Sequence, residues 1–397
     1  MNRHLLSAAV LATMSLQVLN QVTYRNGFGS YRIVSAVRRQ AVLEDPFPCP
    51  TWPGSPGARS QSRPRSVHQL RPGDIDVVGA LGDSLIAGNG ALEEFAIGAL
   101  IEHRGVSWCA GGQETWREFL TVPNILRMFN PRLVGYSTGR GEFLARNSNL
   151  NVAFPVSAAK DTLAQARLLV TRMQHYRSID FERDWKMVTV MIGANDLCSG
   201  QCYNRTGSTA EHHRRDLQEA LDYLYRHVPR CFVNLVPVID VSVSVRVKRS
   251  PMCRILHNLF CPCFHQGGGE MDTITQLVRD YQDAAIDLVS SGRYDAKDDF
   301  TVVVQPFIRF LNAPSDRSSR FKEAIHVSFV THDCFHFSQK GHAMAANLLW
   351  NNLLEPEWNK SQQMPENIME RFLCPTADAP YLFTRKNSRK FFYTGSQ

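Results

Sequence analysis

The sequence of 397 residues lacks several features that would assign it to common classes of protein. Its net charge of +7 is modest for the length and is scattered, with no basic block, so nucleic-acid binding is not expected. That charge is compatible with weak attraction to an anionic lipid surface. Beyond the N-terminal region no stretch is long and apolar enough to span a bilayer, so no transmembrane anchor is expected. No internal repeat is present.

The N-terminal region predicts export. A basic start is followed by a short apolar run at residues 5–16, a pattern typical of a secretory signal peptide, which we assign to residues 1–20. The alternative is an amphipathic N-terminal helix. Residues 21–72, rich in Pro, Ser and Arg, are interpreted as an extended lead-in, residues 73–375 as one domain, and residues 376–397 as a basic C-terminal tail.

The ten cysteines, an even count, fit an oxidising compartment and a secreted protein. The cluster of Cys253, Cys261, Cys263 and His265 lacks the C-x-x-C spacing common at zinc sites. Disulfides are therefore favoured over a metal site, and no metal is predicted.

Two cysteines and two asparagines are candidates for the modifications of a secreted protein. Cys198 and Cys202 are close enough in sequence to pair with each other, and pairing with other cysteines is an equal alternative. Asn204 and Asn359 begin Asn-x-Ser/Thr tripeptides, which are glycosylation acceptors in secreted proteins and also occur by chance.

Apolar strand-like runs alternate with amphipathic helical patterns along the predicted domain. The strands are predicted at residues 76–81, 186–192, 231–238 and 300–305, and the helices at residues 115–129, 163–176, 211–228, 271–290 and 338–354. The strands lack the in-out alternation of a half-exposed antiparallel sheet. The pattern therefore predicts an α/β fold with a mostly parallel sheet covered on both faces.

A glycine-rich turn, Gly82-Asp83-Ser84-Leu85, follows the first predicted strand. Open α/β sheets bind ligands at the carboxyl ends of their strands, so a serine here is placed to act as a nucleophile. The alternative is an ordinary strand-to-helix turn in which Ser84 caps a helix.

A serine nucleophile needs a base, and imidazole is suited to neutral pH. His336 is the candidate because Asp333 lies three residues before it, a spacing that places two side chains side by side on a helical turn. As alternatives, Asp333 would cap the last helix and His336 would be a packed histidine. His332 and His342 are rival bases, but neither has a carboxylate at the same relative position.

Asn195 follows the second predicted strand, in Gly193-Ala194-Asn195-Asp196. Its side-chain amide can donate a hydrogen bond to a developing oxyanion. The alternative is turn chemistry, since Asn and Asp are common after glycine. Each of these signals is weak alone, and the three in this order are strong.

Residues 82–85, 193–198 and 333–338 resemble the sequence blocks of the SGNH, or GDSL, serine hydrolases, and within them those of the phospholipase B type. Further similar stretches lie at residues 104–108, 291–295, 299–307 and 349–356, so the resemblance covers about residues 73–374. It implies a three-layer, flavodoxin-like α/β/α sandwich and a Ser-His-Asp triad that needs no metal or cofactor. It also implies hydrolysis of phospholipid and lysophospholipid esters at a membrane or micelle surface.

By matching position, the resemblance makes Ser84 the nucleophile, completes the triad with Asp333 and His336, and makes Asn195 an oxyanion donor beside the backbone N–H of Ser84. One block departs from the family, because Val156 or Ser157 stands where a glycine usually supplies a backbone donor. Any residue except proline has a backbone N–H, so the departure bears on the local backbone conformation more than on the donor.

The sequence therefore predicts a secreted serine esterase that acts on glycerophospholipids through an acyl-enzyme. One alternative is an esterase for neutral lipids or acylated sugars. Another is a catalytically weak homologue that binds lipid, against which the intact serine, asparagine, aspartate and histidine argue.

Overall fold

A parallel β-sheet forms the centre of the fold. The structure, a computed structural model, describes residues 38–247, 253, 255–257, 261–265, 270–314 and 325–394. Across the sheet its strands run in the order β1 (Ile75–Gly82), β2 (Trp185–Met191), β3 (Cys231–Leu235) and β4 (Phe300–Val304). All neighbouring strands are parallel and almost wholly buried, as their continuous apolar sequences predict.

Helices connect and flank the strands. In the described part of the chain they are α1 (Ser84–Ala87), α2 (Val122–Phe129), α3 (Thr162–His175), α4 (Gln201–Tyr203), α5 (Ala210–His227), α6 (Val243–Arg246), α7 (Glu270–Ser290), α8 (Gln339–Leu353) and α9 (Arg385–Thr394). A π-helical turn at Asp196–Gly200 and several short 3₁₀ turns lie between them.

Two hydrophobic cores lie on opposite faces of the sheet. Alternate residues of β1 divide between them, with Val77 in one core and Val78 in the other. Helices α3 and α5 and the second half of α7 cover the first face. Helices α2 and α8 and the first half of α7 cover the second. The predicted three-layer α/β/α sandwich is confirmed.

On the side of β1 that does not pair with β2, an irregular segment at residues 152–154 runs toward Ser84. The Val152 N–H donates to the Ala80 carbonyl at 3.0 Å, and the Phe154 N–H donates to the Gly82 carbonyl at 3.0 Å. These bonds continue the sheet pattern beyond its last strand, and they place residues 154–157 beside the end of β1.

One predicted helix is shorter than expected. The apolar pattern predicted a helix over residues 115–129, whereas α2 begins at Val122. The Thr121 hydroxyl accepts the Asn124 N–H at 3.2 Å, and Pro123 occupies the first turn, so the helix has a defined start there. Bounds of the other four predicted helices agree with the structure to within one residue at each end.

The lead-in and the C-terminal tail pack against the predicted domain. Val67 and Leu70 of the lead-in are fully buried, and Cys49 forms a disulfide with Cys374 of the domain. The Phe383 N–H of the tail donates to the Leu353 carbonyl at 2.8 Å. The predicted signal peptide lies outside the described residues. Among the residues that are described, no helix combines the length and apolarity needed to cross a membrane.

Candidate active site

Ser84 lies at the carboxyl end of β1 as the first residue of α1. The helix is capped by Asp83, whose carboxylate accepts the Leu85 N–H at 3.0 Å, so capping does not occupy the Ser84 hydroxyl. Gly88 ends the helix with a φ of 80°, and a Cβ at that position would lie 2.6 Å from the His103 carbonyl oxygen. The turn therefore needs this glycine, and it leaves the serine hydroxyl available for chemistry.

A chain of hydrogen bonds joins Ser84, His336 and Asp333. The His336 Nε2 lies 2.7 Å from the Ser84 Oγ, and its Nδ1 lies 2.5 Å from the Asp333 Oδ2. The Asp333 Oδ1 accepts the Thr331 hydroxyl at 2.5 Å and the Phe335 N–H at 2.9 Å. The carboxylate is thus fixed on both oxygens, and it orients the imidazole toward the serine.

The alternatives for these residues do not match the structure. The cap of α8 is Ser338, whose hydroxyl accepts the Gly341 N–H at 3.1 Å, so Asp333 is not a helix cap. His342 is buried and accepts the Trp108 N–H at 3.3 Å, and burial lowers its pKa to about 3. Burial also lowers the pKa of His332. The serine hydroxyl is bonded to His336 instead.

The charges of the pair shift both pKa values in a useful direction. Burial opposes the charged form of Asp333, but the His336 charge and several hydrogen bonds outweigh it and hold the Asp333 pKa well below its usual range. Burial likewise works to lower the His336 pKa, but the Asp333 charge and hydrogen bond raise it above its ordinary value. The imidazole is therefore a stronger base than an isolated histidine.

Ser84 and His336 open into a cavity of about 510 Å³. Apolar side chains of Leu100, Val156 and Phe335 line it together with the polar groups. A cavity of this size, with a few convergent polar groups, suits a small organic substrate.

Comparison with known proteins shows the family of the chain. The family model described as GDSL-like Lipase/Acylhydrolase matches residues 78–349. The chain belongs to this family. Family membership makes it a carboxylic ester hydrolase.

The chain is also similar to curated relatives named "Phospholipase B1, membrane-associated". It is 39% identical to the mouse and rat proteins over 92% of its length, and 40% identical to the human protein over 83%. It spans about a quarter of the length of these relatives, covering 25%, 25% and 23% of them.

In this GDSL family member the expected oxyanion donors converge on the protein's own backbone. The Ser84 N–H donates to the Pro155 carbonyl at 3.2 Å, and the Asn195 side-chain amide donates to the same oxygen at 3.1 Å. The Asn195 amide also donates to the Ser157 carbonyl at 2.9 Å. The two donors therefore share a target beside the serine, as an oxyanion site requires, and a main-chain oxygen occupies that target.

Ser157, one of the two residues expected to supply a backbone donor in this block, uses its N–H within the protein. That N–H donates to the Phe154 carbonyl at 3.0 Å and closes a turn over residues 154–157. Val156, the other expected donor in this block, follows the Pro155 carbonyl directly. The carbonyl side of the Pro155–Val156 peptide, not its N–H side, faces the two donors.

Three disulfides surround the active site of the described chain, and for Cys198 and Cys202 they match the second of the two alternatives, pairing with other cysteines. Cys198 and Cys202 do not pair with each other, because each bonds to a cysteine about 60 residues further along, in separations of 63 and 61. The bonds join Cys198 to Cys261, Cys202 to Cys263 and Cys253 to Cys334. They tie the Asn195 and His336 loops to one segment. Cys109 and Cys231 are free and buried.

Sequence reasoning missed two residues that support the site. The His257 Nε2 lies 2.7 Å from the Asp333 carbonyl oxygen. Gln165 on α3 accepts the Gly82 N–H at 2.8 Å and donates to the Ser157 hydroxyl at 2.8 Å, which links β1 to the turn at residues 154–157. Neither residue lies in a motif, so no signal in the sequence pointed to them. The predicted glycosylation acceptors Asn204 and Asn359 are both exposed.

Proposed function

We propose that this protein is a secreted enzyme that hydrolyses acyl ester bonds of glycerophospholipids and lysophospholipids, with Ser84 as nucleophile, His336 as general base and Asp333 as the residue that orients it. The observation that carries the proposal is the continuous hydrogen-bonded chain from the Ser84 hydroxyl through His336 to Asp333. This arrangement is the one that activates serine in known esterases and proteases.

The proposed reaction has two stages, formation of an acyl-enzyme and its hydrolysis. The Ser84 Oγ bonds to the ester carbonyl carbon while its proton passes to the His336 Nε2, and the carbonyl oxygen takes up the negative charge. When the intermediate collapses, His336 returns the proton to the leaving alkoxide, and the acyl group remains on Ser84. A water molecule that loses its proton to His336 then releases the fatty acid and restores the serine.

The choice of a lipid substrate rests on the surroundings of the cavity. Leu100 lines the cavity and ends a short segment in which Phe95, Ile97 and Leu100 are exposed by 54%, 59% and 66%. Val156 on the opposite turn also lines the cavity. Exposed apolar side chains around a catalytic cavity suit contact with a micelle or membrane surface. The name of the curated relatives supports a phospholipid as the substrate.

Secretion is supported by the predicted signal peptide and by four disulfides among the described residues. Expression in cultured cells tests it. Recovery of the protein in the medium with residues 1–20 removed is the expected result, and retention inside the cell with those residues present would contradict it.

A panel of esters tests the proposed activity. Purified protein and its Ser84→Ala variant are incubated with lysophosphatidylcholine micelles, phosphatidylcholine vesicles, a triacylglycerol emulsion and acetylated sugars, and released acid is measured. We expect fatty acid from the two phospholipid substrates and none from the variant. Release from triacylglycerol or acetylated sugar alone would overturn the substrate class. Equal release by the variant would overturn the mechanism.

A further inference from the structure

The oxyanion donors of this site are already bonded to a carbonyl group of the protein. The Ser84 N–H and the Asn195 amide reach the Pro155 oxygen at 3.2 and 3.1 Å. When the Ser84 oxygen adds to a substrate ester, the substrate's carbonyl oxygen becomes negatively charged and needs the same donors. The Pro155 oxygen therefore competes with the substrate oxygen for them.

The turn over residues 154–157 explains why a carbonyl faces the donors. Its ends are joined by the hydrogen bond from the Ser157 N–H to the Phe154 carbonyl, with Pro155 and Val156 at its two central positions. Val156 is not among the residues of positive φ. Because a type II turn requires a positive φ at its second central residue, this turn is of the type I class.

The two turn types place opposite sides of the central peptide toward the same point. They share the bond between their ends, and they differ by a rotation of the central peptide through about 180°. Rotation of the Pro155–Val156 peptide would withdraw the Pro155 oxygen and turn the Val156 N–H toward the site. The occupied site would then gain a third donor.

Val156 opposes this rotation because its side chain restricts its own φ angle. A β-branched residue is strongly disfavoured at positive φ. The Val156 side chain is 70% exposed, so packing in the interior does not hold it in place. Resistance to the rotation therefore comes from the Cβ and its branches, not from contacts made elsewhere.

We propose that Val156 is a positioning residue that keeps the Pro155 carbonyl on the oxyanion donors, so that the resting site is closed by its own backbone and turnover requires this peptide to rotate. The inference rests on the proposed function. It explains the valine at the exposed tip of this turn, because the valine holds the Pro155–Val156 peptide in one orientation.

A substitution series at position 156 tests the proposal. Glycine accepts a positive φ freely, asparagine accepts it with some cost, and alanine keeps the Cβ that disfavours it. Val156→Ala is thus the matched control, because it removes most of the side chain and leaves the backbone preference. The readouts are kcat and KM on a soluble p-nitrophenyl ester and the rate of covalent labelling by a fluorophosphonate.

We expect Val156→Gly to raise kcat and the labelling rate by roughly tenfold or more, with little change in KM. The upper limit is the factor of about 10²–10³ that one oxyanion donor contributes to kcat. Val156→Asn should lie between the glycine and alanine variants, and Val156→Ala, which keeps the Cβ, should be the lowest of the three. If glycine folds poorly by thermal melting, the order of asparagine above alanine carries the same prediction.

Other outcomes separate this inference from the proposed function. If the wild type is labelled while glycine and alanine behave alike, or glycine loses activity, the inference is wrong and the proposed function stands. If the wild type is inert and Val156→Gly is labelled, the closed site is supported. If neither is labelled while both are folded, Ser84 is not a nucleophile and both proposals are wrong.

Discussion

The loop that carries His336 and the turn that carries Val156 approach the same serine hydroxyl, and they are built differently. Asp333 and His336 are held by hydrogen bonds on both carboxylate oxygens, by His257 and by the disulfide of Cys334. The turn at residues 154–157 is closed by one backbone bond and presents an exposed side chain at its tip. One region fixes side chains, whereas the other leaves a choice between two peptide orientations.

This difference separates two kinds of catalytic requirement. The proton path needs particular side chains, so it is determined by which residues are present and where their loops end. The oxyanion site also needs the correct side of a peptide, and that depends on a single φ angle at Val156. Variants of the first region should therefore cause large losses, and variants of the second should change the rate in either direction.

Removal of the base should have the largest effect. His336→Ala should lower kcat by on the order of 10⁴-fold or more, because nothing else takes the proton from the Ser84 hydroxyl. His332→Ala is the matched control, since that histidine is four residues away and is not bonded to the serine. Steady-state hydrolysis of a soluble ester measures both, and comparable losses in the two variants would remove His336 from the mechanism.

Neutralising the orienting carboxylate should have the next largest effect on kcat. Asp333→Asn should reduce kcat by about 10³–10⁴-fold, because the imidazole loses its fixed tautomer. The pH profile adds a readout that misfolding would not produce. The base works when neutral, so activity falls as the pH drops through the His336 pKa, which Asp333 raises above its ordinary value.

Without the Asp333 charge, burial is the largest remaining influence on the His336 pKa and lowers it, opposed by the smaller effect of the Asp83 charge. The acid limb of the kcat profile should therefore lie at lower pH in Asp333→Asn than in the wild type. A limb that stays at the same pH in the variant would show that another group governs it.

The residues of the proposed proton path were predictable from the sequence because they follow strand ends or precede a helix in fixed short motifs. The parallel sheet was predictable for a similar reason, since each strand is a continuous apolar run such as residues 186–192. Both depend on local pattern. The structure confirmed the fold and brought Ser84, Asp333 and His336 together.

Features set by long-range contact were not predictable. Cys198 bonds to Cys261 instead of its near neighbour Cys202, because the fold brings a distant segment against the Asn195 loop. The bond from His257 to the Asp333 carbonyl joins residues 76 apart. The valine at position 156 indicated an unusual backbone conformation in this turn, but it did not show that the Pro155 carbonyl would face the Ser84 and Asn195 donors.

Deleting the Asn195 amide should have an intermediate effect. Asn195→Ala should lower kcat by about 10²–10³-fold, or about 3–4 kcal/mol, with a smaller change in KM, because the developing alkoxide loses a donor. Asn195→Asp should be at least as damaging, since a carboxylate of similar size repels that charge. Wild-type turnover in Asn195→Ala would mean that Asn195 serves only to hold the turn through the Pro155 and Ser157 carbonyls.

The smallest effect on the rate should come from removing a disulfide. A bond beside the triad can be compared with a bond far from it. Cys253 bonds to Cys334, which lies between Asp333 and His336, whereas Cys49 bonds to Cys374 at the periphery. Replacing either pair by serine should cost about 2–5 kcal/mol of unfolding free energy, because each bond constrains the unfolded chain. Only the Cys253→Ser/Cys334→Ser variant should also lower kcat, by roughly tenfold, since small displacements of a catalytic loop slow the reaction. Thermal melting and esterase kinetics on both variants measure the two effects separately. Equal kcat in both variants would show that the hydrogen bonds of Asp333 hold the loop without the disulfide.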